Sequence, residues 1–176
     1  MARYAKVFFL SAFFFCFVFL TASVYAVNAQ DKKINKIDAE GVVAGGRQPK
    51  VTVNIISPAN GQVLSTQNLS PRIDGSYDIN LQGISQGSVN IKVKADGFLS
   101  RTIFGIDISS NALDNFSVPQ LLGGDVNGDG IVDASDATAL KGHWRESTEG
   151  FDLNGDGVVN SLDFAILKNN LNKISQ

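Results

Sequence analysis

Two short stretches near the C-terminus contain the residues in this sequence that are best suited to chemistry. Residues 125–136 (DVNGDGIVDASD) and residues 152–163 (DLNGDGVVNSLD) have the same length and agree at positions 1, 3, 4, 5, 6, 8 and 12. Alternating Asp and Asn side chains followed by glycine are typical of the twelve-residue calcium loop. Both stretches end on Asp, where that loop usually has Glu. We name them loop 1 and loop 2 and predict that each binds one calcium ion.

The chemistry of calcium explains this spacing. The ion takes six to eight oxygen ligands at about 2.3–2.6 Å, so one tight loop must aim several oxygens inward. Such a loop uses the side chains at positions 1, 3 and 5, the carbonyl at position 7, position 9 through water, and the carboxylate at position 12. The predicted ligands are Asp125, Asn127, Asp129, the Ile131 carbonyl, Asp133 and Asp136 in loop 1, and Asp152, Asn154, Asp156, the Val158 carbonyl, Asn160 and Asp163 in loop 2.

A single string rich in Asp, Asn and Gly is often only a surface turn, because these residues dominate turns. Two copies in the same register, each followed by a helical pattern, are hard to explain in that way. Loop 1 carries four carboxylates and loop 2 carries three, and like charges repel one another without a cation. We therefore expect chelation to lower helicity and melting temperature, and loop 1 to bind calcium more tightly than loop 2.

The elements that position the loops are predicted from the apolar spacing around them. Ala137, Leu140 and Trp144 recur at helical spacing after loop 1, and a core role is favoured for Trp144. Residues 161–171 predict a second helix after loop 2, whereas two glycines directly before loop 1 argue against an entering helix. The repeated unit is therefore a loop followed by one helix. The residues after position 7 of the two loops are expected to pair with each other as a short ladder.

This duplicated unit gives residues 123–174 a resemblance to the type I dockerins, calcium-dependent adaptors that dock exported proteins onto cohesin modules. The resemblance implies two calcium ions and a cohesin-type partner. It also implies partner contacts just before the last aspartate of each loop and one to two turns further along each helix. Those positions are Ala134, Ser135, Lys141, Gly142, Ser161, Leu162, Lys168 and Asn169. The two copies differ at these positions, so two equivalent docking orientations are not assumed.

The N-terminus has the organisation of a secretory signal peptide. Arg3 and Lys6 precede a strongly apolar run over residues 7–20, and small residues follow over residues 21–26. Cleavage would remove residues 1–26, and an uncleaved membrane anchor is the alternative. In either case the remainder is exported, so we expect a secreted or cell-surface protein that contacts a membrane only if the signal is retained.

Composition excludes several classes of function. The only cysteine, Cys16, lies in the predicted signal, which argues against a disulfide scaffold, thiol catalysis and a cysteine-based zinc site. The only histidine is His143, so multi-histidine metal chemistry is not expected. The formal charge of −2 offers no general basic surface, and we predict no nucleic-acid binding.

The region between the signal and the loops divides into two parts. Residues 27–48 combine several basic residues with a Gly-Gly pair and predict a flexible leader. Residues 49–122 contain short alternating apolar runs separated by Gly-containing turns, which indicates an antiparallel β-sandwich of immunoglobulin or transthyretin type. Residues 74–99 (DGSYDINLQGISQGSVNIKVKADGFL) resemble the carboxypeptidase regulatory-like or transthyretin-like modules. The predicted fold class is a mixed two-domain protein, an all-β sandwich followed by a small all-α dockerin over residues 123–176.

These features lead to a non-catalytic exported adaptor that binds a cohesin-type module through calcium-organised helices. The alternative is a dockerin-borne accessory protein of carbohydrate binding or polysaccharide degradation, with a polysaccharide as a second ligand. Glycosidases need paired carboxylates beside a cleft, whereas seven acids here are assigned to calcium, so we predict that the chain is not an enzyme. A calcium buffer or an intramolecular staple is a third interpretation of the loops.

Overall fold

The computed structural model describes residues 32–42, 46–84, 87–108 and 116–176, so the predicted signal peptide lies outside the described residues. No helix within these ranges is long and apolar enough to cross a membrane. The strands are β1 (Lys32–Ala39), β2 (Val51–Ile56), β3 (Val63–Leu69), β4 (Tyr77–Ile79), β5 (Ser88–Ala95), β6 (Gly97–Phe98), β7 (Arg101–Asp107), β8 (Phe116–Leu121) and β9 (Gly123–Asp125), and the helices are α1 (Ala134–Gly142) and α2 (Ser161–Asn169).

Strict alternation of apolar and polar residues builds the larger sheet. Four strands pair antiparallel in the order β3-β2-β5-β7. The apolar residues of β2 and β5 are buried and alternate with partly exposed polar ones, and Val53 pairs with Val93 in the register. Since successive side chains of a strand point to opposite faces, one face of this sheet enters the core.

A second sheet contributes the opposite side of the same core. It has the order β4-β1-β8, with β1 antiparallel to β4 and parallel to β8. Tyr77 and Ile79 of β4 and Leu121 of β8 are fully buried and belong to the same cluster as the apolar residues of β2 and β5. The buried hydroxyl of Tyr77 donates a hydrogen bond of 2.6 Å to the Pro49 carbonyl, and burial raises the pKa of Tyr77 to about 12. We call the described residues before 123 the β unit.

The structure places β1 inside the stretch 27–48 that the sequence predicts to be a flexible leader, so the leader does not extend over residues 32–39. The strand is hard to find from the sequence because its isoleucines are three positions apart and break the period of two. The pairing with β8 absorbs this spacing through a register shift, in which Ile34 pairs with Phe116 and Ile37 with Val118. An irregularity of this kind restores the ladder after one extra residue.

The predicted fold class is wrong in its all-α part. The described chain is mostly β-strand with only two short helices of nine residues each. Residues 123–176 also contribute β9, which pairs antiparallel with β6 of the β unit, and an isolated bridge between Ile131 and Ile174. Prediction from the local sequence missed these strands because their partners lie in distant parts of the chain.

The β unit and the loop–helix unit (residues 123–176) are joined by more than the connecting peptide. Beside the β6–β9 pairing, the Arg47 N–H donates to the Gly155 carbonyl at 3.1 Å, and the Gln176 N–H donates to the Ser100 carbonyl at 3.1 Å. Phe98 and Leu99 are buried in a cluster that also contains Leu153. One continuous core therefore runs from the sheets to the loops.

Candidate metal centre

The side chains at positions 1, 3 and 5 of loop 1 are fixed by backbone N–H groups of the same loop. The Gly130 N–H donates to Oδ2 of Asp125 at 3.1 Å, and the Asp129 N–H donates to Oδ1 of Asn127 at 2.9 Å. The Ile131 N–H donates to Oδ1 of Asp129 at 2.9 Å. Short Asp and Asn side chains suit such local bonds, which hold the chain in consecutive turns.

Loop 2 repeats these bonds at the equivalent positions of the second copy. The Gly157 N–H donates to Oδ2 of Asp152 at 2.9 Å, the Asp156 N–H to Oδ1 of Asn154 at 2.9 Å, and the Val158 N–H to Oδ1 of Asp156 at 3.0 Å. The two loops therefore share a conformation as well as a sequence pattern, which argues against two unrelated surface turns.

The carboxylate at position 12 connects each loop to the helix that follows it. Asp136 accepts hydrogen bonds from the N–H groups of Asn127 at 3.1 Å and Asp133 at 2.8 Å. The second of these completes a capping box, in which Asp133 at the N-cap accepts from the first turn of α1. Asn160 and Asp163 form the equivalent box at α2. The Asp at position 12 of each loop is thus both the last residue of the loop and part of the first turn of the helix.

Each loop keeps one buried carboxylate oxygen without a partner. Among the described side chains, the buried oxygens that lack a hydrogen-bond partner are Oδ1 of Asp125, Oδ1 of Asp152 and Oε1 of Gln48. An unsatisfied buried oxygen costs free energy, and the first two belong to position 1 of the loops, where a cation would satisfy them. The residues of both loops therefore fit a bound calcium ion.

The charge environment of the loops differs with depth. Burial, and to a smaller extent the charge of Asp136, raises the pKa of Asp125 above its usual value. On the surface, hydrogen bonds from Ser135 lower the pKa of Asp133, and those from Asn154 and Val158 lower the pKa of Asp156. Loop 1 therefore contains both a buried carboxylate with a raised pKa and a surface carboxylate with a lowered pKa.

The predicted ligands of each loop are not all carboxylates. Within the described ranges, no three Asp, Glu, His or Cys side chains are grouped so as to hold a metal ion. The twelve-residue calcium loop also uses Asn side chains and a backbone carbonyl. The predicted ligand set contains both, because position 3 is Asn in each loop and position 7 acts through its carbonyl.

The predicted ladder between the two loops is wrong. The Val132 N–H donates to the Lys173 carbonyl at 3.0 Å, and the Asn172 N–H donates to the Val132 carbonyl at 2.8 Å. In the other copy the Val159 N–H donates to the Glu146 carbonyl at 2.7 Å. Each loop therefore pairs with the segment that follows the helix of the other copy, because the chain turns back after each helix and crosses to the opposite loop.

The eight positions predicted for partner contacts lie at the two ends of α1 and α2. All of them are exposed, and Leu162 is a large apolar side chain that is 56% exposed. The Lys141 ammonium lies 5.3 Å from the centre of the Phe164 ring and links the two helices. These positions are therefore accessible for a contact with another protein.

The structure also reveals residues that sequence analysis missed or misjudged. Trp144, for which a core role is favoured from its spacing, is 41% exposed, and Leu171, at the equivalent position of the second copy, is 42% exposed. Lys94 and Arg47 of the β unit donate hydrogen bonds to loop carbonyls at Gly128 and Gly155. No local signal identifies these donors, because the contacts depend on how the two units pack.

Comparisons with known proteins agree with this geometry. The family model described as the dockerin type I domain matches residues 123–172, and dockerin domains bind calcium. Two solved structures have a similar chain, at 20% sequence identity and with TM-scores of 0.61 and 0.62, and each match covers 82% of this chain and 97% of that chain. They are N-terminal and C-terminal interface mutants of a type II cohesin–X–dockerin complex from Acetivibrio cellulolyticus. No curated protein matches this chain.

At this identity the two structures show a common fold. The family match falls on the duplicated loops and the helix that follows each of them. Residues 123–172 are therefore a type I dockerin domain, as the sequence predicts.

Proposed function

We propose that this chain is an exported, non-catalytic adaptor whose dockerin binds two calcium ions and docks onto a cohesin-type module. The observation that carries the proposal is the unpartnered, buried Oδ1 of Asp125 and of Asp152 at position 1 of the two loops. Type I dockerins are docking modules rather than catalysts, which supports the non-catalytic role. The predicted signal peptide and the extracellular use of dockerins support secretion or display at the cell surface.

The ions would be held by the predicted ligand set of each loop. Bound calcium supplies positive charge among like-charged carboxylates, which repel one another in its absence. Residues 123–176 carry a charge of −5 from nine acids and four bases, so two ions would reduce it to −1. Because Asp136 and Asp163 also cap the helices, ordering of the loops orders the first turns of α1 and α2.

The exposed ends of α1 and α2 are the proposed docking surface. The two copies present different residues there, with Ser135 in α1 where Leu162 stands in α2. A cohesin-type partner would therefore meet a more apolar surface on α2 than on α1. This difference favours one docking orientation over the other.

The β unit is proposed to hold the dockerin rather than to bind a ligand of its own. The similar structures contain an X module beside a dockerin, and the likeness covers 82% of this chain, which is more than the dockerin alone. The shared core and the β6–β9 pairing support the same role here. The resemblance of the β unit to carboxypeptidase regulatory-like modules stays a prediction.

Calorimetric titration of the chain from residue 27 onwards tests the proposal. We expect two calcium ions per chain, and binding of a type I or type II cohesin module that excess EGTA abolishes. The double variant Asp125→Asn with Asp152→Asn should lose both activities, whereas Asp96→Asn, an exposed acid outside the loops, should keep them. Fewer than two ions, or cohesin binding that persists undiminished in EGTA, would contradict the proposal.

A further inference from the structure

The β unit contacts both loops at the same loop position. Position 4 is Gly128 in loop 1 and Gly155 in loop 2, with φ of +78° and +70°. The Gly128 carbonyl accepts a hydrogen bond of 3.2 Å from Nζ of Lys94, and the Gly155 carbonyl accepts one of 3.1 Å from the backbone N–H of Arg47. At position 4, loop 1 is therefore held by the end of a flexible side chain and loop 2 by the backbone, although the first residue of loop 1, Asp125, also pairs with Gly97 of β6.

The packing around position 4 is also tighter in loop 2 than in loop 1. A Cβ atom at Gly155 would lie 2.7 Å from the carbonyl oxygen of Arg47, whereas a Cβ atom at Gly128 would meet only Nζ of Lys94 at 3.3 Å. Asn154 of loop 2 is 2% exposed, although the equivalent Asn127 of loop 1 is exposed. The β unit therefore covers positions 3 and 4 of loop 2 closely and leaves the same positions of loop 1 open.

Further contacts strengthen the attachment beside loop 2. Leu153 is 1% exposed and packs where β6 approaches the dockerin. An ion pair of 3.5 Å joins Nζ of Lys50 to Oε2 of Glu149 across the same junction. Loop 2 has three carboxylates and loop 1 has four. The loop with fewer negative charges is therefore the one that the backbone of the β unit contacts at position 4.

We propose that the β unit pre-organises positions 3 and 4 of loop 2, so that calcium binding in loop 2 and attachment of the β unit to the dockerin favour each other more strongly than calcium binding in loop 1 favours that attachment. A loop already held in its binding conformation loses less entropy when it binds. Linkage makes the effect reciprocal, because calcium in loop 2 must strengthen the attachment by the same factor. This inference rests on the proposed calcium binding and adds a dependence on the β unit.

Amide hydrogen exchange of the full chain from residue 27 onwards tests the coupling directly. We expect calcium to slow exchange at the Arg47 N–H as well as at the loop amides. Asp152→Asn removes a ligand of loop 2 and should abolish the effect at Arg47, whereas the matched Asp125→Asn in loop 1 should leave it in place. Both variants retain a side-chain oxygen that can accept from the loop N–H, so we expect both to keep the loop turn.

A matched pair of glycine variants tests the reciprocal direction by calcium titration. Gly155→Ala and Gly128→Ala introduce similar backbone strain, since both residues have positive φ, but only the first displaces the backbone of Arg47. We expect Gly155→Ala to weaken one calcium site by about tenfold more than Gly128→Ala weakens the other.

Equal losses in the two glycine variants would overturn the proposal, and so would calcium protection that does not reach Arg47 or that survives Asp152→Asn. If Gly155→Ala does not fold, the exchange experiment on the parent chain and the two aspartate variants still decides. Failure of the parent chain to bind calcium would refute the proposed function, and it is visible before any variant is compared.

Discussion

The last aspartate of loop 2 is a fully buried acceptor with three backbone donors. Oδ1 of Asp163 accepts from the N–H groups of Leu153 at 2.8 Å and Asn154 at 3.1 Å, and Oδ2 accepts from Asn160 at 2.8 Å. The side chain is 0% exposed, so water cannot replace these bonds. Asp163 therefore stabilises the folded loop whether or not calcium is present.

Replacement of this residue should destabilise the chain even without the metal. In excess EGTA, we expect Asp163→Ala to lower the free energy of unfolding by about 3 kcal/mol, because buried N–H groups lose their acceptor. Chemical denaturation followed by circular dichroism measures this change.

Asp156→Ala is the matched control, since it also removes one carboxylate from loop 2 but at an exposed position where water can replace the bonds. If Asp163 acted only as a calcium ligand, Asp163→Ala and Asp156→Ala would have the same free energy of unfolding in EGTA. That result would refute the structural role of Asp163.

At the scale of elements, the turn after each helix carries backbone strain in one copy and almost none in the other. Arg145 after α1 and Asn172 after α2 occupy equivalent positions of the two copies, with φ of +70° and +65°. Asn adopts this left-handed region readily, whereas other non-glycine side chains clash there. The N–H of Arg145 donates to the Val159 carbonyl at 2.9 Å, so the strained turn is held in place by its contact with loop 2.

We therefore expect Arg145→Gly to raise the free energy of unfolding by about 0.5 kcal/mol, as relief of strain exceeds the entropy lost by the new glycine. Asn172→Gly should give no gain, because asparagine carries little strain at the same φ. Thermal and chemical unfolding of the two calcium-loaded variants measure the difference. An equal effect of both substitutions would show that the Arg145 backbone is not strained.

The loops and helices were accessible to sequence analysis because calcium ligation and helix capping both depend on residues within a few positions of each other. The loop bonds, the capping boxes and the starts of both helices follow that local pattern. Prediction of the strands was wrong where the paired residues are far apart in the sequence. This applies to β1, which has a bulge opposite β8, and to β9, which pairs with β6 of the β unit. The prediction of a short ladder between the two loops was wrong for the same reason, since each loop pairs with the segment that follows the helix of the other copy.

At the scale of the whole molecule, the contacts that unite the two units were beyond sequence prediction. Composition separates a near-neutral β unit from an acidic dockerin, and it gives no indication that they share a core. The structure joins them through the β6–β9 pairing, the C-terminal Gln176 on Ser100, and the covering of loop 2 near Arg47. We therefore expect the two units to unfold together rather than as independent domains.

A single substitution at Gly97 can test whether the β unit and the dockerin unfold together. Its φ is +84°, and a Cβ atom there would lie 2.2 Å from the Gly150 carbonyl oxygen and 2.8 Å from Cδ2 of Leu153. We expect Gly97→Ala to lower the free energy of unfolding by about 3 kcal/mol and to separate the fluorescence transition of Trp144 in the dockerin from the circular dichroism transition. Gly105→Ala, with φ of +69° and open space around it, should cost only about 1 kcal/mol and keep the transitions coincident. If both variants lose the same stability and both retain one transition, the junction at β6 does not couple the two units.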